Sequence, residues 1–109
     1  MADVLGTFEQ AVLLAVLRLG DDAYGRAILG EVQTRIERDV AAGAVHATLV
    51  RLEEKGLLSS SLGAGTEVRA GRPRRFYRLE ATGIRALKDA QAATKTLWRG
   101  VRLPLRGHA

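Results

Sequence analysis

The chain has 109 residues, of which 47% are hydrophobic, and its formal net charge is +5. This length supports one compact domain with one core, and a second domain would be undersized. The absence of cysteine excludes disulfides, thiolate metal sites and a thiol nucleophile. The longest apolar run covers residues 11–17, which is far shorter than the roughly 20 residues of a membrane helix. We therefore expect a cytoplasmic protein.

Basic charge is concentrated in the C-terminal part of the chain. Residues 1–68 contain six basic and ten acidic side chains, whereas residues 69–109 contain eleven basic and two acidic ones. Every cation within residues 69–78 is an arginine, and no carboxylate lies among them. The planar arginine fork suits phosphate oxygens and guanine edges. This distribution favours a polyanion-binding domain over a solvated charge run.

The apolar spacing predicts two helices in the first third of the chain. Thr7 and Gln10 have the spacing of a capping box, so the first helix is expected at residues 8–19. Its apolar positions go nearly all the way round, which indicates burial on more than one side, most simply in a homodimer. Asp21 or Asp22 is expected to cap the second helix. The buried stripe of that helix is predicted to consist of Tyr24, Ile28, Val32 and Ile36.

A third helix is predicted after a turn at residues 39–43. Val45, Leu49 and Leu52 have the spacing of inward-facing positions. Small residues, one imidazole and one guanidinium remain for the other faces, and this combination allows close approach to the floor of a DNA groove. The flanking and outward positions are His46, Ala47, Val50, Arg51 and Glu54.

The pattern changes to strands after Gly56. Residues 57–62 and 74–79 are predicted to form two strands, with residues 63–65 and Gly71 as turn material. Pro73 cannot donate a hydrogen bond to a strand ladder, so it is expected near the tip or the free edge of a hairpin. A helix followed by an arginine-rich hairpin is typical of a device that holds DNA.

A last helix is predicted from Ala81 to about Arg99. Its apolar residues form a narrow stripe, and its opposite face is basic. This pattern favours packing against a symmetric partner. The stripe consists of Ile84, Leu87, Ala90, Thr94, Leu97 and Val101.

Six short motifs follow one another between residues 5 and 79, and the likeness that they carry spans roughly residues 5–87. They are residues 5–6 (LG), 9–10 (EQ), 21–25 (DDAYG), 43–49 (GAVHATL), 51–57 (RLEEKGL) and 71–79 (GRPRRFYRL). In order and spacing they resemble the PadR family of bacterial transcriptional regulators. The short C-terminus is similar to the members that have a single dimerisation helix.

The resemblance implies a mainly α fold with a two-stranded β wing, the winged helix-turn-helix. Residues 1–80 would form the DNA-binding domain, residues 81–103 the C-terminal dimerisation helix, and residues 104–109 a flexible tail. The implied function is sequence-specific binding of double-stranded DNA by a homodimer that represses a nearby promoter from a palindromic operator. Two recognition helices would enter successive major grooves about 34 Å apart.

The resemblance also implies the residues that contact DNA. The family commonly has a tyrosine in the third helix where this chain has His46. Trp98, on the dimerising helix, marks a possible pocket for a small aromatic effector. The DNA-binding residues carried over by position are Ala44, His46, Ala47 and Arg51 on the recognition helix, and Arg72, Arg74 and Arg75 on the wing.

Two other classes of binding protein remain open from the residues alone. A winged helix can serve as a protein-interaction module, since the fold does not fix the function. The amphipathic last helix would also suit a peripheral membrane binder, although its narrow, alanine-rich stripe favours helix pairing. An enzyme is not expected, because neither His46 nor His108 has a catalytic motif around it. We also expect no metal and no cofactor.

Overall fold

The computed structural model of the protein describes residues 4–63, 68–69 and 72–105. The predicted turn residues 64, 65 and 71 and the tail residues 106–109 lie outside the described residues. The described ranges confirm the predicted mainly α fold with a β wing. The elements are α1 (Thr7–Leu19), a 3-10 turn (Gly20–Asp22), α2 (Gly25–Ile36), α3 (Ala42–Glu54), β1 (Leu58–Leu62), β2 (Val68–Arg69), β3 (Arg72–Pro73), β4 (Arg75–Leu79) and α4 (Ala81–Trp98).

The start of α1 differs from the predicted capping box. Thr7 is the first helical residue, and Gly6 takes the capping position in an extended conformation. The carboxylate of Glu9 accepts a hydrogen bond from the Gly6 amide, with an N···O distance of 3.2 Å. The predicted cap is therefore wrong by one residue, because Glu9 and not Gln10 satisfies the free amide. Gln10 instead donates from its side chain to the carbonyl of Leu5.

The starts of α2 and α3 also differ from the prediction. Asp21 and Asp22 lie in the 3-10 turn, and the extended residue before α2 is Tyr24. Gly43, predicted as turn, lies in the first turn of α3, which begins at Ala42. Pairing between Tyr24 and the wing fixes the entry to α2 in place of an aspartate cap.

The core is organised around α1, which contacts α2, α3, β4 and α4. The inward positions predicted for α3 are confirmed, and Thr48 is buried beside them. In the predicted stripe of α2, the two middle residues are fully buried and the two end residues half-buried. The core side chains are Val12, Leu13 and Val16 from α1, Ile28 and Val32 from α2, Val45, Leu49 and Leu52 from α3, Leu58 and Tyr77 from the strands, and Ala90 from α4.

The wing consists of two antiparallel strand pairs in succession. β1 pairs with β4, with Leu58 opposite Leu79, and the shorter β2 pairs with β3, with Val68 opposite Pro73. Both long strands begin one residue later than predicted, and Pro73 lies in the outer pair, as expected for a residue near the tip. The Tyr77 amide donates to the carbonyl of Ala23 at 2.8 Å, which ties the wing to the helices.

α4 leaves the wing close to the end of α3. Its first turn includes Gly83, where any side chain would overlap the Leu57 carbonyl and the Leu79 side chain, so only glycine permits this approach. The Thr82 hydroxyl donates to the Gly56 carbonyl at 2.5 Å. The helix begins at Ala81, close to the predicted start and without the delay expected from Glu80, and it ends at Trp98, so Val101 of the predicted stripe lies beyond it. Among the described residues, no helix has both the length and the hydropathy needed to cross a membrane.

Candidate nucleic-acid interface

α3 presents a face of small side chains to solvent. Ala44, His46 and Ala47 are all exposed, as is Val50 one turn further on. The helix can turn this face outward because its other side is fully anchored in the core by aliphatic residues. A face without bulky or acidic side chains near its N-terminal half permits close approach to the edges of bases.

A cleft of about 650 Å³ separates α3 from the wing and from the first turn of α2. Its walls carry three guanidinium groups and one imidazole, and none of the described residues that line it is acidic. The cleft therefore combines positive charge with an open shape next to the exposed face of α3. The side chains that give it this charge are Arg26 from α2, His46 from α3, and Arg74 and Arg75 from the wing.

Arg74 is held against an aromatic pair at the base of the wing. Its guanidinium carbon lies 4.1 Å from the centre of the Tyr24 ring, a cation–π distance. Tyr24 in turn packs edge-on against Phe76, with ring centroids 5.7 Å apart and an interplanar angle of 69°. The residue before α2 thus orients a wing arginine toward the cleft.

Arg75 is connected to α3 through a serine. Its Nη1 donates to the Ser60 hydroxyl at 2.9 Å, and this hydroxyl donates to a carboxylate oxygen of Glu53 at 2.8 Å. These bonds join β4, β1 and α3, and Arg75 is the member that lines the cleft. Beneath them, burial and the nearby Glu53 charge raise the pKa of the Tyr77 phenol, so Tyr77 stays neutral at physiological pH.

Arg51 lies on the flank of α3 that faces α1. Its Nε is 3.6 Å from Oε2 of Glu9, and Lys55 Nζ is 3.2 Å from the same oxygen. Partial burial alone would raise the pKa of the Glu9 carboxyl. The hydrogen bond from the Gly6 amide and the charges of Lys55 and Arg51 outweigh that effect and hold the pKa below its ordinary value. Glu9 is therefore ionised at neutral pH.

The structure brings some of the predicted DNA-binding residues together and separates others. His46, Arg74 and Arg75 share the cleft, and Ala44 and Ala47 lie beside it on α3. Arg51 belongs to the opposite flank. The backbone of Arg72 lies in β3, and its side chain is outside what the structure describes.

Sequence reasoning missed two residues of the cleft, Arg26 and Tyr24. Both belong to the start of α2, where the apolar periodicity identifies only the buried stripe. A signal was available, because a helix N-terminus favours anions and Arg26 lies within its first turn. The stacking of Tyr24 on Arg74 had no such signal, because the two residues are far apart along the chain.

A second surface lies between α1 and α4. It is a groove of about 860 Å³ with aliphatic walls that include Leu14, Leu17, Ile84 and Leu87. Beyond it α4 exposes further apolar side chains, and Trp98 is 52% exposed at the end of the helix. The predicted stripe of α4 is thus buried only in part within the chain.

This combination of elements defines a class of protein. Two helices and an exposed third helix, followed by a basic β wing, form a winged helix-turn-helix, a fold in which the third helix can enter the DNA major groove. The chain belongs to the transcriptional regulator PadR-like family, whose model matches residues 13–89. This membership confirms the predicted family and the prediction of a transcription regulator that is not an enzyme.

Solved structures support the same assignment. A PadR family regulator from Eggerthella lenta is 29% identical, with a TM-score of 0.63 over 82% of this chain and 75% of that one. A PadR-like transcription factor from Bacteroides fragilis is 27% identical, with a TM-score of 0.67 over 84% of each chain. A PadR family regulator from Clostridium difficile is 26% identical, with a TM-score of 0.58 over 86% and 88%. No curated protein matches the chain at a significant level.

Proposed function

We propose that the protein is a cytoplasmic repressor that binds a palindromic operator in double-stranded DNA as a homodimer. The observation that carries this proposal is the basic cleft beside α3, in which Arg26, His46, Arg74 and Arg75 surround an exposed helix of small side chains. Fixed cations at this position match the phosphates on either side of a major groove, and the small face matches the base edges between them. Residues 1–80 act as the DNA-binding domain.

Homodimer formation through α4 accounts for the exposed groove between α1 and α4. The occupant proposed for this groove is a second copy of the chain, because α4 exposes an apolar stripe that continues beyond the groove. A two-fold contact buries the same patch on both subunits. It would also direct both recognition helices toward one side, at the spacing of successive major grooves, about 34 Å.

The direct test is a mobility-shift assay with the DNA upstream of the protein's own coding sequence. The wild-type protein should retard this duplex more strongly than a shuffled duplex of equal length. The double variant R74A/R75A should lose most of the binding, whereas R35A/R38A, which removes two arginines near the other end of α2, should bind nearly as wild type. Equal binding by both double variants would contradict the placement of the interface.

Repression is separable from binding. A reporter placed behind the bound upstream region should be expressed less in the presence of the protein, and R74A/R75A should restore expression. Higher expression with the wild-type protein would identify an activator instead.

An aromatic effector is proposed to bind near Trp98, at the end of the helix that forms the dimer. Trp98 is the only tryptophan of the chain, so its fluorescence reports this location alone. Titration with flat aromatic ligands should change the emission and weaken DNA binding in the same concentration range. Unchanged emission over a broad panel would count against a pocket at this position.

A further inference from the structure

One carboxylate of α1 holds the two cations at the C-terminal end of the recognition helix. Oε2 of Glu9 lies 3.2 Å from Lys55 Nζ and 3.6 Å from Arg51 Nε. The other oxygen of this carboxylate accepts a hydrogen bond from the Gly6 amide at the start of α1. Glu9 therefore has a fixed position, and the cations attached to it come from the end of α3, with Lys55 46 residues away along the chain.

The two cations lie on the border of the exposed face of α3. Arg51 and Lys55 are four residues apart and so share one flank of the helix, on the side away from the wing. Ala47, one turn before Arg51, is part of the exposed face. A duplex that approaches this face brings the phosphates of one strand to the same flank. Two negatively charged partners, the Glu9 carboxylate and DNA phosphate, can then bind the same cations.

The exposure of these groups makes the exchange between partners feasible. The Arg51 side chain is 50% exposed, whereas the Glu9 side chain is only 16% exposed. The cations can therefore turn toward a ligand, while the carboxylate stays beneath them. Ion pairs of exposed cations contribute only about 0–1 kcal/mol, so phosphate contacts that release counterions can replace them.

We propose that Glu9 is a positioning residue that competes with DNA phosphate for Arg51 and Lys55 and thereby limits the number of phosphates that the recognition helix neutralises. This inference rests on the proposed DNA-binding function. Its consequence is a lower affinity for DNA of arbitrary sequence than the charge of the helix would otherwise give. The small exposed face of α3 then contributes a larger share of the discrimination between sequences.

The test compares two charge-neutral variants, E9Q and E31Q. Glutamine at position 9 keeps an acceptor for the Gly6 amide, so the start of α1 is preserved. Glu31 is a matched control, because its Oε2 also pairs with two arginines, at 2.8 Å from Arg35 Nε and 3.9 Å from Arg18 Nη1, away from α3. Both variants raise the net charge by the same amount. Binding to a duplex of mixed sequence is measured over a series of salt concentrations.

The expected result is a steeper salt dependence for E9Q alone. The slope of log affinity against log salt should exceed that of E31Q by about one to two units, since each additional phosphate contact adds roughly 0.9. In the R51Q/K55Q background, E9Q should no longer steepen the slope. Equal slopes for E9Q and E31Q, or a steepening that survives in this background, would overturn the inference.

An NMR measurement compares the same cations in the wild-type protein and in E9Q. Addition of the duplex should shift the Arg51 Nε–H signal further in E9Q than in the wild-type protein, in which Glu9 retains part of the pairing, and should leave the Arg35 Nε–H signal in place in both. Equal shifts of the Arg51 signal in the two proteins would overturn the inference and leave the proposed function intact. If the wild-type protein does not bind any duplex, both the inference and the proposed function fail.

Discussion

Two surfaces of the molecule differ in how far the chain itself completes them. On the surface formed by α3 and the wing, charged side chains have partners within the chain, such as Tyr24 for Arg74 and Ser60 for Arg75. On the surface formed by α1 and α4, Leu17, Ile84 and the end of α4 expose apolar area that the subunit does not cover. The side chains of the first surface are thus oriented within the chain, whereas the second leaves apolar area exposed, as the proposed homodimer requires.

The difference has a physical basis in the kinds of interaction involved. Cation–π contacts and exposed hydrogen bonds orient side chains but contribute only about 0.5–1.5 kcal/mol each. Full burial of a leucine side chain contributes about 1.5–3 kcal/mol. Orientation is therefore achieved within the chain, whereas the larger gain from the apolar surface belongs to the proposed association of two copies.

The largest effect is expected from a charge placed in the apolar groove. L17E introduces a carboxylate at a side chain that is 55% exposed, so the subunit should fold but should not pair. Loss of the second DNA-contacting unit should lower the affinity for the operator by about 100-fold or more. The molar mass is measured by analytical ultracentrifugation and the affinity by mobility shift.

A matched control for this variant lies in the wing. L62E makes the same change at a side chain that is 57% exposed and lies at the end of β1. It should retain the wild-type molar mass. A dimeric L17E protein, or a monomeric L62E protein, would show that subunits pair through another surface.

A smaller effect is expected from Arg26, the cleft residue contributed by α2. R26A should weaken binding about tenfold at low salt and flatten the salt slope by about one unit, as for one lost phosphate contact. R35A is the control at the other end of the same helix, where Arg35 pairs with Glu31. Binding is followed by fluorescence anisotropy at several salt concentrations. If the dependence of log affinity on log salt had the same slope for R26A and R35A, Arg26 would not contact a phosphate.

The aromatic partner of Arg74 should have a weaker influence. Y24A removes the ring beneath the guanidinium and should lower DNA affinity about three- to tenfold, the range of an exposed cation–π contact. Y24F retains the ring and should bind as the wild type does. Thermal unfolding distinguishes a loss of orientation from a loss of stability, and equal affinity of Y24A and Y24F would show that stacking does not orient Arg74.

The smallest effect concerns the acid range of stability. The pKa of Glu9 is lowered in the folded protein, so its contribution is fully present above the unfolded pKa of about 4.3 and is lost as pH falls through the folded value. The wild-type free energy of unfolding should therefore fall more than that of E9Q below about pH 4.5. Urea titrations at several pH values measure this difference, which should narrow at high salt. If the free energy of unfolding depended on pH in the same way in the wild type and in E9Q, the ion pairs of Glu9 would not stabilise the fold.

The sequence predicted the elements that depend on local pattern. The buried positions of α3 were found because Val45, Leu49 and Leu52 repeat at helical spacing, and the start of α4 at Ala81 followed from the end of the wing. The prediction of the α1 cap was wrong because this helix uses the Glu9 carboxylate and the Gly6 amide in place of the Thr7 side chain. The predicted box would satisfy the amides of Thr7 and Gln10, whereas the observed bond satisfies the amide of Gly6.

The contacts that shape the candidate site were not predictable in the same way. The partner of Arg51 is Glu9, and that of Arg74 is Tyr24, and both pairs join elements that are distant along the chain. Such pairs depend on how the helices and the wing pack, which periodicity does not specify. Arg26 is the exception, since its position in the first turn of α2 was readable from the sequence.

Hydroxyl-radical footprinting of the upstream DNA tests the central claim most directly. A dimer that presents two α3 helices and two wings to one side of the duplex should protect two equivalent patches, centred about one helical turn apart and related by two-fold symmetry. R74A/R75A should erase both patches together. A single unsymmetrical patch, or protection that R74A/R75A leaves unchanged, would contradict the account.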